Sequence, residues 1–402
     1  MKQVDVLVVG GGICGYTAAM AARRYYGDKK IGLLRKGLRA LIPWCLAYNC
    51  ARGAIHENIL RDDRLYDEGI ELIIDEVTGI DRKGKGVFTA CGEEIKYEKL
   101  ILATGSLPQP PPFKDDGLYG VFSFKKEYPY LQNLSVYLDS ARDVVIVGGG
   151  LTGIEFAEAC SATRQLNVTL VEHRPRLLEW AFDEEIGNLV EDNLRQRGIN
   201  IITATGVEEL YGNKRVEGVK LTNGQVIPAD TVILATGIMP NTALARAAGL
   251  ATHEYAGILV DAYMRTTDEN IFAVGDCAIK ENLPGPGGTG VRLALEGGRE
   301  ARIAAANLFT LKRSKEAIID KFTLAIGNKA FGAVGLLQNR QPGGAYMLTV
   351  GEIAVKVIYS PETGAAVAAQ VHGKPFTLVR EIMDRMAGAI KQQTRFDEIS
   401  LV

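Results

Sequence analysis

The sequence lacks several features that would define a class of protein by themselves. No stretch reaches the roughly 18 consecutive apolar residues of a membrane-spanning helix. The 46 basic and 48 acidic residues leave a net charge of −2, which argues against nucleic acid or an anionic membrane as the main partner. Only four histidines are present, and none stands at metal-ligand spacing from a cysteine, so we expect no metal site.

Cysteine is also sparse. The six cysteines are scattered over 402 residues, unlike the framework of a small disulfide-rich secreted domain. The N-terminal apolar run is too short for a signal peptide, and we therefore expect a cytoplasmic protein. Glycine is plentiful, with 45 copies, many of them in short clusters beside apolar runs. A chain of this length predicts two or three domains.

The first glycine cluster lies in VDVLVVGGGICGYTAAMAARRYY. This segment predicts a buried strand over residues 4–9, a tight turn, and a helix from Ile13. The turn has the pattern G-x-G-x-x-G, formed by Gly10, Gly12 and Gly15. In such a turn the first glycine permits the bend, the second lets a pyrophosphate approach the backbone, and the third lets the helix pack on the strand. The N-terminus of the helix then attracts the phosphates.

The same pattern occurs a second time. RDVVIVGGGLTGIEFAEACSA places Gly148, Gly150 and Gly153 between a predicted strand and a predicted helix. The next strand, NVTLVE, ends in Glu172, where a carboxylate accepts hydrogen bonds from an adenosine ribose and disfavours a 2′-phosphate. This predicts NADH as the ligand, with NADPH possible because His173 and Arg174 follow directly.

The first copy departs from this pattern at the corresponding strand end. KKIGLLRK carries Arg35 where a carboxylate is expected, and an arginine has hydrogen-bond donors only. Either Arg35 contacts a phosphate or an adenine face, or that end of the nucleotide is held mainly by backbone.

Two dinucleotide units in one chain resemble the FAD-dependent pyridine nucleotide-disulfide oxidoreductase family. The segment YEKLILATGSLPQPP is similar to the turn that leaves the family's FAD domain, and ADTVILATGIMPNT is similar to the turn that leaves its NAD domain. GILVDAYMRTTDENIFAVGDCA resembles the second FAD signature, whose aspartate is here Asp276. The resemblance is nearest to the coenzyme A-disulfide reductase and NADH oxidase branch.

The resemblance implies an α/β fold with two Rossmann-like three-layer domains, for FAD and NAD, and a C-terminal α+β interface domain. The implied FAD domain is discontinuous, residues 1–110 and 243–315. The implied NAD(P) domain covers residues 111–242, and residues 316–402 form the interface domain of a homodimer. The resemblance also implies further cofactor contacts beside the glycines. For FAD these are Arg35, Lys36, Val77, Thr104, Gly105, Asp276 and Ala294; for NAD they are Glu155, Glu172 and Gly237.

Cys45 follows the second strand of the implied FAD domain, at the expected start of a helix, where the family holds a redox cysteine over the flavin. Pro43 fits the first position of that helix, and a helix N-terminus stabilises a thiolate. Cys50 stands at the spacing of a disulfide partner, yet in a regular helix the pair would be about 7.5 Å apart along the axis, too far for an undistorted disulfide. A resolving thiol and a packing residue both remain open for Cys50.

These observations lead to one principal hypothesis and two alternatives. In the first, NADH reduces FAD, and electrons pass to Cys45 and on to a disulfide, persulfide or polysulfide. In the second, motivated by the apolar bulk of Leu41 and Trp44 near Cys45, the flavoprotein reduces rubredoxin, ferredoxin or a partner in a larger complex without a redox cysteine. In the third, motivated only by Arg35, the chain is a nucleotide-bound scaffold with little turnover.

Overall fold

The computed structural model describes residues 2–114, 117–279, 294–314, 319, 321–335 and 343–401. The chain divides into two compact units, each assembled from separated segments. The first unit contains residues 1–109, 125–135 and 237–316, and the second contains residues 110–124, 136–236 and 317–402. The division into FAD, NAD and interface domains stays a prediction.

The first unit is built around a parallel sheet. Within the described residues it has five strands, in the order Ile271–Ala273, Lys99–Leu102, Val6–Val9, Ile31–Arg35 and Glu71–Ile74. The central strand is an unbroken run of buried valine and leucine, as expected for a parallel strand covered on both faces. The helices Ile13–Tyr25 and Ala294–Ala306 pack against each other, and Tyr26 Oη donates a hydrogen bond to the Ala306 carbonyl.

A small, mainly antiparallel sheet lies in the same unit. Its strands run in the order Lys2–Gln3, Glu94–Lys96, Gly86–Thr89 and Val77–Asp81. The remaining elements of this part of the chain are short. They are the helices Leu46–Ala51, Ile55–Asn58, Asp63–Asp67, Tyr128–Tyr137, Ala243–Ala247 and Gly275–Cys277, and the paired strands Ser106–Pro108 with Ile238–Pro240 and Thr252–His253 with Gly257–Ile258.

The second unit contains another parallel sheet. Its described strands lie in the order Val121–Ser123, Thr231–Leu234, Asp143–Val147, Asn167–Val171 and Asn200–Ile202. The helix Leu151–Arg164 follows the central strand. The helix Glu184–Arg195 begins at Asp183, whose carboxylate accepts a hydrogen bond from the Ile186 backbone N–H at 3.2 Å. A separate antiparallel sheet contains Val207–Tyr211, Gly218–Leu221 and Val226–Pro228.

The C-terminal part of this unit is an antiparallel sheet with one long helix. The described strands lie in the order Lys321–Ile326, Lys329–Gly335, Ala366–Gly373, Ile353–Tyr359 and Gly344–Val350. The helix Phe376–Lys391 packs on them through one apolar face, formed by Val379, Ile382, Met383, Met386 and Ile390. In the described part of the chain, no helix combines the length and the apolar character needed to cross a membrane.

Candidate dinucleotide and thiol sites

The first glycine turn has the shape that a pyrophosphate requires. Gly10 has a φ of 109°, and a Cβ atom there would overlap the carbonyl oxygen of Ala103. A Cβ on Gly15 would overlap the Gly10 carbonyl, so only glycine lets the helix lie this close to the strand. A Cβ on Gly12, in contrast, would meet no atom within 4 Å. Open space therefore lies beside the backbone at the N-terminus of the helix Ile13–Tyr25.

The second glycine turn repeats this geometry. Gly148 has a φ of 116° and lies against the carbonyl of Ala235, and a Cβ on Gly153 would overlap the Gly148 carbonyl. A Cβ on Gly150 would meet nothing within 4 Å. Both turns thus have one glycine that bends, one that packs, and one that borders open space at a helix N-terminus. This is the arrangement that a phosphate-binding turn needs.

Glu172 lies at the carboxyl end of its strand, beside the second turn. Its side chain is almost completely buried, with 8% exposed. Oε2 accepts the Gly149 N–H at 2.6 Å, and Oε1 accepts the Arg174 N–H at 2.8 Å and lies 2.9 Å from His173 Nδ1. A carboxylate oxygen has two lone pairs, so these bonds orient the group and leave capacity for a ribose hydroxyl.

Arg35 occupies the corresponding place beside the first turn, and its guanidinium contacts acceptors of the protein itself. The residue is buried, with 4% exposed. Its guanidinium donates to the carbonyls of Gly37 and Leu38 and makes a two-pronged ion pair with Asp62, at 2.8 and 2.6 Å. These bonds turn the guanidinium toward the protein's own acceptors.

The other predicted FAD contacts are spread around this unit. Lys36 is largely exposed and pairs with Glu76 at 2.9 Å. Val77 begins the strand Val77–Asp81 and is partly buried. Thr104 Oγ1 donates to the Asn241 carbonyl at 2.7 Å, and the Asn241 N–H donates to the Gly105 carbonyl at 2.9 Å. Those two bonds join the first A-T-G turn to the segment that follows the second.

The remaining predicted contacts are defined by backbone. Gly105 has a φ of 72° and borders open space, since a Cβ there would meet nothing within 4 Å. Gly237 has a φ of 111°, and its carbonyl accepts the Gln109 N–H at 3.0 Å. Ala294 is the first residue of the helix Ala294–Ala306.

Asp276 belongs to a compact polar cluster that sequence reasoning missed. Ser106 Oγ donates to Asp276 Oδ2 at 2.7 Å, and Lys126 Nζ donates to the same oxygen and to Ser106 Oγ, both at 2.8 Å. Ser106 directly follows the A-T-G turn, so its position was an available signal. Nothing in the sequence indicated that Lys126 belongs to this cluster, because it lies far from both partners in the chain.

Cys45 lies immediately before the short helix Leu46–Ala51, as its N-cap residue. Its φ of 49° is in the left-handed region, which is unusual for a residue with a side chain and common at functional sites. The side chain is partly exposed, and the neighbouring Trp44 is exposed by 62%. The helix begins at Leu46, so the expectation that Pro43 is its first residue is wrong: the left-handed Cys45 separates the two.

Cys50 is placed very differently. It is fully buried, and its Sγ lies 3.3 Å from the Leu131 carbonyl. Neither Cys45 nor Cys50 is in a disulfide. Of the two interpretations left open for Cys50, this burial favours packing.

Glu155 lies in the second turn of the helix Leu151–Arg164, two residues after Gly153. Desolvation by burial raises the pKa of its carboxyl to about 7. A carboxyl group with this pKa can hold or release a proton near neutral pH.

Comparison with known proteins is consistent with this geometry. A family model described as pyridine nucleotide-disulphide oxidoreductase matches residues 4–304, so the chain belongs to the pyridine nucleotide-disulphide oxidoreductase family. An NADH oxidase of Methanocaldococcus jannaschii is 29% identical, with 98% of this chain and 92% of that protein covered.

Two solved structures are also similar. An NAD-dependent persulfide reductase from A. fulgidus superposes with a TM-score of 0.86 at 25% identity, covering 98% of this chain and 78% of that one. A ferredoxin reductase for the CYP199A2 system of Rhodopseudomonas palustris superposes with a TM-score of 0.81 at 27% identity, covering 92% and 91%.

The protein is therefore an NAD(P)H-dependent flavoprotein oxidoreductase that uses FAD. This excludes the scaffold without turnover as its class. The residues present fit both cofactors, because each glycine turn offers a cradle that a Cβ would fill and a helix N-terminus for the phosphates.

Proposed function

We propose that the protein passes two electrons from NADH through FAD to Cys45 and then to a disulfide, persulfide or polysulfide. The observation that carries this proposal is the placement of Cys45, a partly exposed thiol in a left-handed N-cap position. It lies in the same compact unit as the first glycine turn. FAD, when bound, supplies hydride acceptance and electron transfer to sulfur.

Four of the other cysteines, Cys50, Cys91, Cys160 and Cys277, suit this role less well. Cys50, Cys160 and Cys277 are buried, and burial raises the pKa of Cys160 to about 12. The pKa of the exposed Cys91 is raised by its hydrogen bond to the Asp75 carboxylate, which favours the neutral thiol. Only a thiolate attacks a sulfur–sulfur bond efficiently.

The chain's own residues divide the remaining tasks under this proposal. The turn at residues 148–153 and Glu172 bind NADH, and Glu155 lies near the nicotinamide. The turn at residues 10–15 and Asp276 bind FAD. Cys45 attacks one sulfur of the acceptor, forms a mixed disulfide with it and displaces the other sulfur as a thiolate. The electron pair from NADH then breaks this mixed disulfide, which releases the second thiolate and regenerates the Cys45 thiolate. The net change is NADH, a proton and a disulfide converted to NAD⁺ and two thiols.

Replacement of Cys45 by serine tests the proposal, with Cys50→Ser as the matched control. Under anaerobic NADH titration we expect a long-wavelength thiolate-to-flavin absorption band in the wild type and in Cys50→Ser, and none in Cys45→Ser. NADH-dependent polysulfide reduction should fall about 100-fold or more in Cys45→Ser only, as for loss of a nucleophile. Full polysulfide turnover in Cys45→Ser would refute the cysteine's role.

A second candidate function is reduction of a small redox protein without use of Cys45. The similarity to the Rhodopseudomonas palustris ferredoxin reductase favours it, as does the exposed Trp44, which offers an apolar contact for a partner. Under this alternative, Cys45→Ala would transfer electrons from NADH to a ferredoxin or rubredoxin as fast as the wild type does.

We also propose that the chain forms a homodimer through residues 316–402 in the cytoplasm. In the described chain, the strand Gly344–Val350 lies at one edge of the C-terminal sheet and exposes Tyr346 and Met347 by 42% and 46%. An exposed edge with apolar side chains is a common contact between copies of a chain.

A further inference from the structure

Arg35 and Glu172 occupy equivalent positions beside the two glycine turns. The Gly10 N–H donates to the Leu34 carbonyl at 2.8 Å, and the Gly148 N–H donates to the Val171 carbonyl at 2.8 Å. Arg35 and Glu172 are the residues that follow these two carbonyls. Each packs beneath the residue that lies between the first two glycines of its pattern. A Cβ on Gly11 would overlap the Arg35 stem, and a Cβ on Gly149 would lie 3.0 Å from the Glu172 Cβ.

The two equivalent positions carry opposite charges. Glu172 brings a carboxylate to the second turn directly. Arg35 cannot accept a hydrogen bond, but its guanidinium holds the Asp62 carboxylate through two bonds of 2.8 and 2.6 Å. The two further bonds from Arg35 to the Gly37 and Leu38 carbonyls fix the guanidinium in place. The first turn therefore also has a carboxylate near the strand end, held by an arginine.

Asp62 retains the capacity to bind a hydroxyl. A carboxylate offers about four acceptor positions, and the ion pair with Arg35 uses one on each oxygen. The Asp62 side chain is 24% exposed, whereas Arg35 is 4% exposed, so the open side of the pair is the carboxylate.

We propose that Asp62, held by Arg35, is the carboxylate that accepts hydrogen bonds from the adenosine ribose of FAD. Asp62 takes the role that Glu172 has for NADH, and Arg35 is a positioning residue. This inference rests on the binding of FAD at the first turn but not on any role of Cys45. A binding experiment without turnover therefore tests it separately from the proposed function.

The experiment titrates apo-protein with FAD, with two FAD analogues whose adenosine lacks the 2′- or the 3′-hydroxyl, and with FMN, which has no adenosine. The wild type should bind FAD about 10- to 100-fold more tightly than at least one analogue, the range expected for a hydrogen bond to a charged group. In Asp62→Asn this preference should largely disappear, and affinity for FMN should not change.

The matched control is Asp63→Asn, because Asp63 is the adjacent acid, is 62% exposed and pairs with Arg61. It should keep the full preference for the ribose hydroxyls. Equal wild-type affinity for FAD and both analogues would overturn the proposal. So would an undiminished preference in Asp62→Asn, or an equal loss of FAD and FMN affinity, which would indicate a purely structural ion pair.

The double variant Arg35→Glu with Asp62→Arg, which exchanges the two charges and is called the reversed pair, provides a second test. It places a carboxylate at the strand end, as Glu172 is placed, and should retain the ribose preference. If Asp62→Asn does not fold, absence of this preference in the folded reversed pair overturns the proposal.

Discussion

The buried carboxyl group of Glu155 should make the free energy of unfolding depend on pH. Its pKa is raised to about 7, above the ordinary value of 4.5, so folding favours the protonated form. The stability that this provides is complete below about pH 4.5 and is lost as the pH rises through 7. We expect the Glu155→Gln variant to gain about 2 kcal/mol of unfolding free energy relative to wild type between pH 5 and pH 8.

Urea denaturation of both proteins across that pH range measures this difference. A difference that does not change with pH would mean that the Glu155 carboxyl is well solvated.

Single residues also mark the limit of sequence reasoning. The places of the turn glycines and of Glu172, between strand and helix and at a strand end, were predictable because they depend on neighbours close in the chain. The partners of Arg35 and Asp276 were not, because Asp62 and Lys126 reach them only through the fold. Cys50 had two equal interpretations until its burial favoured one.

At the scale of elements, the second strand–turn–helix unit contains two glycines whose replacement should have different effects, one on stability and one on ligand binding. A methyl group at position 153 would overlap the rigid Gly148 backbone, whereas at position 150 it would enter open space. We expect Gly153→Ala to destabilise the protein by about 2 kcal/mol or more. Gly150→Ala should change stability by less than about 1 kcal/mol yet weaken NADH binding, because the methyl group occupies the space beside the phosphates.

Thermal unfolding and NADH titration of the two variants check this pair of expectations. Unimpaired NADH binding by a folded Gly150→Ala variant would show that the open space at this turn does not receive the dinucleotide.

At the scale of the whole molecule, the proposed homodimer can be tested by measuring the mass of the protein in solution. We expect the purified protein to sediment at twice the mass of one chain at micromolar concentration, since family resemblance and the exposed strand Gly344–Val350 both favour self-association. Sedimentation at the mass of one chain over the same concentrations would contradict the dimer.

The sequence by itself determined the class of the fold and the two strand–turn–helix units with their glycine turns. Buried strands and glycine turns follow from residues adjacent in the chain, and the helix predicted from Ile13 is present. Only the tertiary structure decided which charges meet, because the Arg35–Asp62 pair and the cluster of Ser106, Lys126 and Asp276 join segments distant in sequence. Local patterns encode backbone conformation; the pairing of side chains depends on how the elements pack.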